Sequence, residues 1–122
     1  MYSARVRELI QELPNRGTLA AATHISEVEN PACGDRTHLY LRVERGRIVD
    51  CRFQTYGCPG AIAATAALTL LCKGKTETEC AELDRQTLLE FLQGLPSHKL
   101  HGLDLALDAL RQALAGPHPA DP

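Results

Sequence analysis

Between Leu39 and Leu71 the hydrophobic period of the chain switches, and the switch falls on a cysteine. Leu39, Leu41 and Val43 alternate with Tyr40, Arg42 and Glu44, Arg45-Gly46-Arg47 turns the chain, and Ile48 to Tyr56 runs back. Alternation, turn and return predict a β-hairpin. Then come Gly57-Cys58-Pro59-Gly60 and a run of Ala61, Ile62, Ala63, Ala64, Ala66, Ala67, Leu68, Leu70 and Leu71. A helix apolar on nearly every side packs in the interior, here against the sheet. Proline is at home in the first helical turn, where its missing N–H costs nothing, so Cys58 falls at or next to the N-cap. Unpaired N–H groups and a partial positive charge gather there, making Cys58 the best-placed reactive sulfur of the chain. Antiparallel arms also bring Cys33-Gly34-Asp35, before the first arm, beside Cys58, after the second.

The other elements follow from the same rules. Val6, Leu9, Ile10 and Leu13 recur at helical spacing, predicting a helix over Ser3 to Leu13 with Ser3 as N-cap, ended by Pro14-Asn15-Arg16-Gly17. Leu19 to Glu29 reads as a strand leading into an Asn30-Pro31 turn. Lys73-Gly74-Lys75 closes the apolar helix, a short helix runs from Thr76 to Glu82, and Asp84 caps another through Leu88, Leu89, Phe91 and Leu92. The last helix starts near Ser97, with Leu100, Leu103, Leu107, Leu110 and Leu114 as its buried stripe and His101, Asp104 and Asp108 on other faces. A length of 122 residues with 44% hydrophobic residues suits one domain over 1–122, with 1–17 its N-terminal helix and turn and 115–122 a flexible tail.

Charge and composition narrow the function. The net charge is -2 and Lys and Arg are scattered, so neither nucleic acid nor a membrane surface is an expected partner. No apolar run is long enough to cross a bilayer, and a cytoplasmic location is expected. In that compartment five irregularly spaced cysteines are expected to stay reduced.

Cys33, Asp35, Cys58 and His101 are the residues to explain. A thiolate prefers zinc or iron, imidazole suits either, and a carboxylate completes a four-coordinate shell. Cys51 shares a strand face with Phe53 and reads as a small core hydrophobe. Cys72 lies 14 residues beyond Cys58, roughly 20 Å along a helix at about 1.5 Å per residue, and cannot serve the same site. Cys80, on a short polar helix, reads as inert apart from surface oxidation. His98, three residues before His101, reads as solvated surface rather than a second ligand, and His24 and His38 have no companion motif.

Asn30-Pro31-Ala32-Cys33-Gly34-Asp35, Leu39-Tyr40-Leu41-Arg42-Val43, Ile48 through Cys58, Ala61-Ile62-Ala63, Lys73-Gly74-Lys75-Thr76 and Leu95 through His101 together resemble the NifU/IscU-like iron-sulfur cluster assembly scaffolds. The resemblance implies an α+β fold of the SufE/NifU-like kind, a small antiparallel three-stranded sheet with helices packed on one side. It implies a platform for a [2Fe-2S] cluster, or iron, with zinc in the cluster-free form. Sulfur would come from a cysteine desulfurase and the product would pass to recipient iron-sulfur apoproteins. Cys33 and Cys58 then resemble the first two scaffold cysteines, Asp35 the aspartate that tunes cluster stability, and His101 the histidine before the third cysteine. Gly102 stands where the family has that third cysteine. Leu95-Pro96-Ser97-His98-Lys99 resembles a chaperone-docking segment.

Three other readings compete with the scaffold. A family member binding zinc or iron here would act in sulfur relay or regulation without assembling clusters. A thiol enzyme would use Cys58 as nucleophile, His101 as base and Asp35 as orienter, but no substrate-binding element accompanies that trio. The last reading makes Cys33 and Cys58 plain loop thiols, an unusual use of soft ligands.

Overall fold

Arg45 and Gly46 both take positive φ, 54° and 78°, the conformation of the two-residue turn whose twist matches that of antiparallel strands. In the computed structural model, which describes residues 1–31 and 34–116, this turn joins β2 (Arg36–Glu44) to β3 (Arg47–Tyr56). With β1 (His24–Glu29), paired antiparallel to β2, they form a three-stranded sheet in the order β1-β2-β3. The α+β class and the three-stranded antiparallel sheet expected from the sequence are present. β1 is shorter than expected. It begins at His24, because Ala20 and Ala21 form a turn and Thr23 spends its hydroxyl on the backbone N–H of Val43 at 2.9 Å.

One face of the sheet carries Leu39, Leu41, Cys51 and Phe53, each no more than 1% exposed. Against it pack α2 (Pro59–Cys72) and α5 (His101–Leu114). Half of the buried residues of α2 are alanine, which lets neighbouring backbones approach closely. α5 contributes Leu103, Leu107 and Leu110 to the core, and it also buries Leu105 and Ala109, a wider face than the leucine stripe alone. α1 (Ala4–Glu12), capped by Ser3, adds Val6 and Leu9. α3 (Glu77–Ala81) and α4 (Arg85–Phe91) link the two long helices. The last segment begins with a single 3-10 turn, Ser97–Lys99, so α5 proper starts at His101 rather than near Ser97. Among the described residues, no helix is long and apolar enough to cross a membrane. Residues 117–122 of the expected tail, like Cys33, lie outside the described residues.

Two polar devices fix the helices on the sheet. After α1 the chain runs along β3, with Gly17 N–H donating to Phe53 C=O at 2.8 Å and Phe53 N–H to Asn15 C=O at 3.1 Å. That pairing covers a sheet edge that would otherwise offer free backbone groups. Below the carboxyl end of β3, the hydroxyls of Thr37 and Thr55 lie 2.7 Å apart, and those of Thr55 and Thr65 likewise. Thr65 also donates to Ala61 C=O at 3.1 Å. This chain of hydroxyls ties β2, β3 and α2 together two helical turns from Cys58. Replacing Thr65 by Val keeps the shape and removes one member, which should cost about 1 kcal/mol of stability in urea unfolding. Thr65→Ser should retain most of it.

Candidate metal centre

Arg36 pairs with Tyr56 at the end of the hairpin, so Asp35 and the Gly57-Cys58 step leave the sheet side by side. Asn30 N–H donates to Asp35 C=O at 2.8 Å, and Gly34 N–H to Asn30 C=O at 2.7 Å, closing the β1–β2 loop around the aspartate. The Asp35 residue is 4% exposed. Cys58, in extended conformation, is the N-cap of α2, and Pro59 occupies the first helical turn. His101 opens α5.

The Asp35 carboxylate joins the other two. Its Oδ1 accepts the backbone N–H of Cys58 at 3.2 Å. Its Oδ2 accepts the Cys58 thiol at 3.4 Å and lies 3.2 Å from His101 Nε2. Cys58 Sγ and His101 Nε2 are 3.9 Å apart. One ion bound tetrahedrally at about 2.0–2.3 Å would hold such donors about 3.3–3.6 Å apart. The observed spacings lie close to that, with all three donor atoms within 4.8 Å of one another. Metal entry would displace the thiol proton that Asp35 now accepts. Cys58 and His101 are partly exposed, with side-chain exposure of 31% for the histidine, so the centre lies at the surface with the carboxylate beneath it. A recess of about 240 Å³ opens beside His101, with Glu29, Asp104 and Asp108 on its walls. A larger one, about 410 Å³, between Met1–Ser3 and Gln93–Pro96, has no Cys, His, Asp or Glu in its lining.

Of the four residues singled out in the sequence, the structure brings Asp35, Cys58 and His101 together, while Cys33 falls outside the described residues. His98 is exposed and not part of the group. Cys51 is fully buried beside the core, as expected. Cys80 corrects the sequence reading. It is 1% exposed, not at the surface, because α3 packs against α5 and Cys80 itself reaches Cys72 at the end of α2.

Two glycines define the centre and were not legible as such. A Cβ at Gly57, whose φ is 151°, would lie 2.2 Å from Asp35 Oδ1. Only glycine leaves room for the carboxylate to reach Cys58. A Cβ at Gly102 would lie 3.0 Å from the backbone N and Cα of Ala61 and 3.1 Å from Gly60 C. The partner that Gly102 admits is therefore the start of α2. A cysteine at 102 needs the two helix starts to move apart by a few tenths of an ångström, so this packing is fitted to glycine.

A family model described as NifU-like N terminal domain matches residues 1–117. The chain is 42% identical over 114 residues to the iron-sulfur cluster assembly scaffold protein IscU 1 of Archaeoglobus fulgidus, covering 93% of this chain and 74% of that one. It is 36% identical over 121 residues to the nitrogen fixation protein NifU of Nostoc sp., covering 93% of this chain but 40% of the longer relative. Among solved structures, an N-terminal NifU-like protein from Brucella abortus superposes with a TM-score of 0.78 at 17% identity, covering 93% of this chain and 91% of that one. That likeness is one of fold.

Gly57→Ala should displace Asp35 and weaken zinc affinity by about 10- to 100-fold in chelator competition, with little change in the far-ultraviolet circular dichroism. Gly102→Cys should destabilise the metal-free protein by about 1–3 kcal/mol in urea unfolding through overpacking.

Proposed function

Since the chain belongs to the family of NifU-like N-terminal domains, we propose that it is a scaffold for iron-sulfur cluster assembly, on which iron or a [2Fe-2S] cluster is held and then passed on. The observation that carries this reading is the buried Asp35 carboxylate holding Cys58 and His101 at the spacing of ligands to one metal. In this reading Cys58 supplies a thiolate, His101 its Nε2, Asp35 a carboxylate oxygen, and Cys33 a second thiolate. The cluster or metal is cargo, so the protein acts as a platform rather than an enzyme. A shell with a carboxylate and an imidazole in place of thiolates binds soft iron-sulfide cargo less tightly than an all-cysteine shell, which suits release.

Surface placement of the centre gives partners access to it. A cysteine desulfurase would supply sulfur, and recipient apoproteins would take the product, in the cytoplasm. With Gly102 in place of a third cysteine, the sulfur arriving from a desulfurase must be received at Cys58 or Cys33. The 3-10 turn at Ser97–Lys99 lies against Gly60, next to Cys58, so a chaperone gripping Leu95–Lys99 would act beside the cargo. Zinc would occupy the same donors when no cluster is present.

Anaerobic reconstitution with ferrous iron and sulfide should give a coloured protein with visible sulfide-to-iron absorption and acid-labile sulfide matching its iron. Cys58→Ser and His101→Ala should each lose most of that colour. A colourless protein retaining one zinc, whatever the supply of iron and sulfide, would support the alternative of a metal-binding family member acting in sulfur relay or regulation. Alkylation of Cys58 tied to a hydrolytic or transfer activity that survives chelation would instead support the thiol enzyme.

A further inference from the structure

At the far end of α2 from Cys58, three more thiols are buried: Cys51 and Cys72 are 0% exposed and Cys80 is 1% exposed. They do not form a three-donor metal group, since among the described residues only Asp35, Cys58 and His101 do so. Two of them are in contact. Cys80 Sγ donates to Cys72 C=O at 3.7 Å.

The corner that joins α2 to α3 holds this pair in place. Gly74 N–H donates to Ile48 C=O at 2.7 Å and Ile48 N–H to Lys75 C=O at 2.8 Å, pinning the corner to β3. Thr76 and Glu79 form a reciprocal cap at the start of α3, and Cys80 N–H returns to Thr76 C=O at 3.0 Å. Eight residues apart in sequence, the two cysteines come into contact because the chain reverses between them.

We propose that Cys72 and Cys80 are a dithiol that oxidises to a disulfide, a second sulfur site separate from the metal donors. The oxidant is a low-molecular-weight disulfide such as oxidised glutathione. The two thiols are not equivalent. Contact with Cys72, together with Lys75, lowers the Cys80 pKa, while the same contact and burial raise that of Cys72. In this proposal Cys80, the thiol with the lowered pKa, is the attacking sulfur. Its thiolate attacks the oxidant, forming a mixed disulfide and expelling one thiolate, which takes up the proton Cys80 gave. Cys72 then loses its proton and attacks the Cys80 sulfur, expelling the second thiolate. The protein gives up two electrons and two protons, and the oxidant leaves as two thiols. The bond ties the end of α2 to α3, about 20 Å along the helix from Cys58.

Metal-free protein equilibrated with oxidised glutathione, then denatured, alkylated and cleaved with trypsin, should yield fragments 53–73 and 76–85 joined by a disulfide. Fragmentation of the joined peptide should place the bond on Cys72, since 53–73 also contains Cys58. Cys72→Ala should abolish the link and accumulate a glutathione adduct on Cys80. Oxidation should raise the thermal midpoint by several degrees only when both cysteines are present. A link that maps to Cys58 would overturn the proposal. So would Cys72 and Cys80 both remaining alkylatable after equilibration while Cys58 carries glutathione.

Discussion

The carboxylate of Asp35 is the interaction on which the centre depends. A buried carboxylate is costly unless donors surround it, and here those donors are the backbone and thiol of Cys58 and the imidazole of His101. The requirement works in both directions. Asp35 must be satisfied, and satisfying it draws the start of α2 and the start of α5 to the same end of the hairpin. The donor atoms reach metal-ligand spacing because one carboxylate gathers them.

Around that carboxylate the packing is built from missing side chains. Gly57 leaves the volume that Asp35 fills, and Gly102 lets the start of α5 lie on the backbone of Gly60 and Ala61. The alanines of α2 continue the close approach toward the core. This closeness explains a departure from the family pattern in physical terms. Where the resemblance calls for a third cysteine, the starts of the two helices already touch. The Thr37, Thr55 and Thr65 hydroxyls hold α2 in that position from below.

Much of this was legible in the sequence, for reasons that are local. The alternation of Leu39, Leu41 and Val43 and the Arg45-Gly46 turn determine the hairpin, and antiparallel pairing then makes Asp35 and Cys58 neighbours without further information. Pro59 identified Cys58 as the helix cap. What sequence did not reveal depends on through-space contact. Gly57 reads as an ordinary glycine until Asp35 is seen against it, and the threonine hydroxyls belong to three separate elements. Cys80 looked like a surface residue because its neighbours Glu79 and Ala81 are exposed. Burial of a single residue on a five-residue helix has no period to betray it. The strand expected from Leu19 was cut short to His24 because the Thr23 side chain competes for backbone partners, a contact made across the sheet.

Zinc K-edge X-ray absorption of the protein loaded with one zinc ion tests most directly whether Asp35 gathers a metal-binding set. The account predicts a four-coordinate shell with sulfur at about 2.3 Å and nitrogen or oxygen at about 2.0–2.1 Å, including imidazole scattering that His101→Ala removes and sulfur scattering that falls in Cys58→Ser. A shell of oxygen alone, unchanged by either substitution, would contradict it.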